Sequence, residues 1–198
     1  MPIELSPLPC EPGAFAPHLA PETVARHREA QQAGLDALNA LLGAGADTDP
    51  AEAPPALADL ARQARGALAA RAAQAWAEEF HWAALRPADG APREPRGPLA
   101  DAIAQVFGDH RRLAERFADA ATRLPGPGWL WLVRRTDGRL AVLATPRSTT
   151  PLTGTDTPLL ACCLWPHALP ADAADARDQH LAAFWALVDW KVVAARLP

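Results

Sequence analysis

The chain has 198 residues, 49% of them apolar, and a net charge of −4 spread over interspersed acidic and basic residues. That is enough interior for one domain or two small lobes sharing a core, and the negative balance gives no electrostatic support to a nucleic-acid partner. Three cysteines, one isolated and two adjacent, do not make a disulfide framework. The first residues lack the basic flank and apolar segment of a leader, and no apolar run is long enough to cross a bilayer, so the expected place is the cytoplasm, without a membrane partner.

Residues 1–19 are proline-rich and read as an extended arm. From 22 to 42, Val24, Leu35, Leu38, Leu41 and Leu42 recur at helical intervals, and the glycines at 43 and 45 are expected to stop that helix. Residues 50–55 read as a loop. Alanine-rich residues 56–85 predict a second long helix, antiparallel to the first. Residues 86–98, rich in proline and glycine, mark the joint between an N-terminal lobe at 1–88 and a C-terminal lobe at 89–198. Helices are expected at 99–107 and 109–123, the latter capped by Asp109. Strands follow at 129–134, 140–144 and 159–165, the first two joined by an Asp137-Gly138 turn. A last helix is expected at 178–195. The fold class is therefore α+β, a long helical hairpin followed by an α/β lobe with a three-stranded antiparallel sheet.

Three segments carry a resemblance. Residues 150–195 read TPLTGTDTPLLACCLWPHALPADAADARDQHLAAFWALVDWKVVAA; residues 126–133 read GPGWLWLV; residues 72–80 read AAQAWAEEF. With Pro17-His18-Leu19-Ala20-Pro21-Glu22-Thr23, these resemble the iron/manganese superoxide dismutases over nearly the whole chain. That family holds a metal between its lobes with three histidines and one aspartate. By resemblance the ligand positions are His27, Glu78, Cys163 and His167, so one histidine has become a carboxylate and the aspartate a thiol. Gln74, His81, Trp129 and Trp165 would surround the site. The family's gateway histidine and tyrosine correspond to Gln31 and Leu35, and the chain has no tyrosine at all. Two residues that link subunits in the family become Pro166 and Pro170.

The resemblance implies a divergent member whose metal site is degenerate, which lacks dismutase activity and serves a structural or interaction role. It would pair with itself or with an active relative. Two alternatives stay open: a metal-dependent dismutase using the four substituted ligands, or a non-redox zinc-binding protein using the same four. The donor types suit zinc, then iron; an empty pocket is the third possibility. A cysteine sulfur starts about 1 Å short of an aspartate oxygen, and a metal–sulfur bond of ~2.3 Å recovers part of that. His81 has two readings, a donor to Glu78 or a packing residue. His18 reads as a turn residue, and His110 and His180 as residues on exposed helical faces. Cys10 reads as a small apolar filler, and Cys162 is expected to face away from Cys163.

Overall fold

A computed structural model describes residues 2–45, 56–89, 94–170 and 175–198. The arm folds back on the helices: Phe15 is fully buried, and Ile3 and Asn39 exchange two hydrogen bonds of 2.9 Å. Helix α1 (Pro21–Gly45) starts with proline and Glu22, residues that suit a helix N-terminus. It runs through Gly43 and Gly45, beyond the expected end at 42. Its buried residues Val24, His27, Gln31, Leu35 and Leu38 are three or four apart, so two polar side chains lie on the apolar stripe.

The long helix expected at 56–85 is two helices, α2 (Leu57–Gln63) and α3 (Gly66–Trp82). Arg65 is extended and Gly66 has φ +60°, a conformation that suits glycine and overrides the alanine-rich propensity around it. The break lets α2 pack Leu57 and Ala61 with Leu152, while Arg62 donates to the Leu152 carbonyl at 3.3 Å. The loop expected at 50–55 lies outside the described residues.

The joint between the halves is tied to both of them. Arg86 donates its amide to Leu187 at 2.9 Å and Ala88 to Ala14 at 2.8 Å. One apolar core crosses the boundary, joining Phe15, Val24 and Trp82 to Leu113, Phe117, Leu130 and Phe184. The C-terminal half opens with α4 (Pro98–Phe107) and α5 (His110–Arg123). Asp109 caps α5, accepting from the Arg112 amide at 2.7 Å.

Strands β1 (Gly128–Arg134), β2 (Leu140–Pro146) and β3 (Thr157–Cys163) form an antiparallel sheet in the order β2-β1-β3. A Cβ on Gly128 would lie 2.2 Å from the Thr145 carbonyl oxygen, so the close approach of β1 and β2 requires glycine there. β3 begins and ends two residues before the expected 159–165; the Leu164 amide makes one last bond to the Gly128 carbonyl at 2.9 Å before the chain enters a short 3-10 turn, Pro166–Ala168. Strand alternation puts Leu130, Leu132 and Cys162 into the large core. Trp129, Trp131 and Cys163 lie on the other face, against Ala77 of α3.

The single helix expected at 178–195 is α6 (Ala176–Leu187) and α7 (Trp190–Ala195). Val188 leaves the helix to bridge with Leu85, and the Asp189 amide reaches the Ala84 carbonyl at 2.7 Å. The Asp189 side chain then caps α7 through the Lys191 amide at 2.9 Å. Among the described residues no helix is long and apolar enough to cross a membrane.

Candidate metal centre

Four elements deliver one side chain each to a single point. α1 supplies His27, α3 supplies Glu78, the end of β3 supplies Cys163, and the 3-10 turn after it supplies His167. One donor atom from each lies within 4.8 Å of all the others. Residues separated by more than a hundred positions are brought together because α1 and α3 pack side by side and β3 packs against α3.

Glu78 is the hub. Its carboxylate is buried and accepts from His27 Nε2 at 2.5 Å and from Gln74 Nε2 at 2.8 Å. His167 Nε2 stands 3.4 Å from the other side of the carboxylate, too poorly aligned for a hydrogen bond. Burial alone would raise the Glu78 pKa, but the imidazoles of His27 and His167 outweigh it and hold the group at about 2. Glu78 is therefore ionised at neutral pH. Trp129 Nε1 reaches Gln74 Oε1 at 3.4 Å, and Trp165 stacks on His167 with centroids 5.8 Å apart. Burial first, and then the charge of Glu78, raise the Cys163 thiol well above its ordinary range.

Of the remaining candidates, His81, His180 and His110 depart from their sequence reading, while His18, Cys10 and Cys162 follow it. His81 does not donate to Glu78; its Nδ1 donates to the Ala161 carbonyl at 2.9 Å, on the β3 backbone. His180 is buried, not exposed, because it shares one stripe of α6 with Phe184 and Leu187. His110 is half-buried, edge-on to Trp185 and Trp190 at 5.4 and 5.1 Å. His18 is exposed, in a turn after a cis Ala16-Pro17 bond. Cys10 is half-buried against the large core, and Cys162 faces away from Cys163.

A cavity of about 480 Å3 opens onto Glu78 and His167, walled by Ala30, Ala33, Gly34 and Ala37 of α1 and by Gln74. The two positions that the resemblance assigns to the gateway pair are occupied differently. Leu35 is buried in the apolar cluster between the helices, and Gln31 Oε1 is occupied by Arg28 Nη1 at 2.8 Å.

The donor set of two imidazoles, a carboxylate and a thiol suits a divalent cation of borderline softness. In a tetrahedral zinc site, bonds of about 2.0–2.3 Å put neighbouring donors roughly 3.3–3.8 Å apart. Here the separations straddle that figure, from 2.5 Å between His27 and Glu78 to at most 4.8 Å. Adjustments of about 1 Å, within rotamer reach, would bring the four to bonding distance. The residues fit such an ion.

Residues 95–196 match the family profile described as iron/manganese superoxide dismutases, C-terminal domain. The chain is 40% identical over 198 residues to the iron superoxide dismutase of Salmonella typhimurium, covering 100% of this chain and 99% of that protein. The iron superoxide dismutase of Escherichia coli K12 is 39% identical over the same coverage. That of Coxiella burnetii is 34% identical, over 98% of this chain and 97% of the relative. The chain belongs to the iron/manganese superoxide dismutase family.

Proposed function

We propose that this chain is a member of the family that does not dismutate superoxide, and that its centre holds a redox-inert divalent cation, zinc, through His27, Glu78, Cys163 and His167. One observation carries the reading: all four side chains, two of them substitutions, still converge on one point with donor atoms within 4.8 Å. Zinc takes nitrogen, oxygen and sulfur donors in this mixture. It has no one-electron couple, so it cannot cycle superoxide. The surroundings favour the same conclusion, because dismutation consumes protons and neither Leu35 nor the occupied Gln31 delivers them.

The role is then structural: a bound cation would cross-link α1, α3 and the end of β3 across both halves of the molecule. In that role the chain acts as a partner for itself or for an active relative. The test is the metal content of protein purified without added metal. About one zinc per chain is expected, falling in Cys163→Ala. Iron or manganese at that level, or no metal in the wild-type protein, would refute the proposal.

A further inference from the structure

We infer that Arg26 is the residue that positions His167, so that the centre is completed within a single chain. The inference rests on reading His167 as a ligand. His167 sits on a turn of only three helical residues, Pro166–Ala168, and Trp165 and Leu169 on either side are extended. Such a turn has little internal rigidity, since it is held by the amides of Ala168 and Leu169 alone, at 2.9 and 3.3 Å. A ligating histidine is ordinarily fixed by a hydrogen bond from its second ring nitrogen. Among the described residues no hydrogen bond reaches His167 Nδ1. Its ring has the long Glu78 contact, stacks on Trp165, and meets the His27 ring at a tilt of 50°.

Arg26 supplies the missing restraint through the backbone. Its Nη2 donates to the Leu169 carbonyl at 2.6 Å and its Nε to the His167 carbonyl at 3.3 Å. The planar guanidinium spans two acceptors two residues apart, which the single ammonium of lysine does not do in the same geometry. The side chain makes no ion pair among the described residues; its hydrogen bonds go to the end of the 3-10 turn, where free carbonyls favour a cation. Arg26 also directly precedes His27. One turn of α1 therefore carries both a ligand and the clamp on a second ligand 140 residues further along the chain.

The experiment titrates cobalt(II), a zinc probe with a visible spectrum, into wild-type protein and the variants Arg26→Ala, Arg26→Lys and Arg116→Ala, with folding checked by circular dichroism. Wild type is expected to show a thiolate-to-cobalt band. Arg26→Ala should bind about 10–100-fold more weakly with a shifted band, as for lost outer contacts to a ligating histidine. Arg26→Lys should fall between, and Arg116→Ala should match wild type. Arg26→Ala within twofold of wild type, with the same spectrum, would overturn the inference. If wild type itself binds no cobalt, the zinc reading fails. Arg26 is then judged on metal-free protein, where Arg26→Ala must shift or broaden the His167 ring resonance in a nitrogen-15 histidine spectrum; an unchanged resonance overturns it. Wild type diluted until sedimentation shows a monomer should keep its cobalt band, and loss of the band on dilution would place the restraint in a second copy.

Discussion

Glu78 and His27 meet at 2.5 Å in the interior, where a proton sits between two groups that a cation would have to separate. A metal at this site would therefore compete with that proton, and the Cys163 thiol, held well above its usual range, would also have to lose its own. Zinc affinity should rise with pH between 6 and 8. Calorimetry in two buffers of different ionisation heat should show at least one proton released per zinc. Binding that is independent of pH would show that Cys163 is not a ligand.

Acid should destabilise the metal-free protein well before its carboxylates titrate. Burial, then the charges of His81 and His27, depress His180 to about 3; burial, then His27, depresses His81 to about 4. Both lie below the ordinary histidine value, so the unfolded chain takes up protons first as pH falls. Stability is full above about pH 6.5 and drops by about 1.4 kcal/mol per pH unit for each group down to its folded pKa. Urea unfolding at pH 7.5, 6 and 5 should show this loss. His180→Phe should halve the slope; an unchanged slope would assign the protons elsewhere.

Restoring the ligand types of the family should restore its metals. Glu78→His with Cys163→Asp gives three imidazoles and one carboxylate on the same four elements. Iron or manganese occupancy after refolding in either metal is expected to rise several-fold over wild type, measured by elemental analysis. No gain would show that the backbone no longer places these four positions for those ions.

The sheet should be intolerant at one point. Alanine at Gly128 would drive a methyl group to 2.2 Å from the Thr145 carbonyl, and backbone cannot yield as a side chain can. A loss of about 1–3 kcal/mol is expected by thermal or urea unfolding.

Much of this architecture was legible because hydrophobic spacing sets it. Val24, Leu35 and Leu38 follow a three-and-four stripe and strand alternation separates Cys162 from Cys163, whereas His27 and Gln31, buried on that same stripe, were singled out by the family resemblance. His180 had the same signal, four residues before Phe184 and seven before Leu187, yet it read as exposed because histidine is usually taken for a surface residue. The helix breaks at Arg65 and Val188 were hidden for other reasons. The break at Arg65 had a local signal in Gly66, at φ +60°, which the alanine-rich run around it outweighed, while the break at Val188 follows from its bridge with Leu85, which local propensity does not encode. Arg26 left no trace at all, since its partners are main-chain carbonyls that any sequence would offer.

The most direct test of the central claim is a superoxide dismutase assay on wild-type protein after loading separately with iron, manganese and zinc, each preparation checked for bound metal. No turnover above the free-metal background is expected from any of them. Rapid removal of superoxide by the iron or manganese form, abolished in Cys163→Ala, would contradict it.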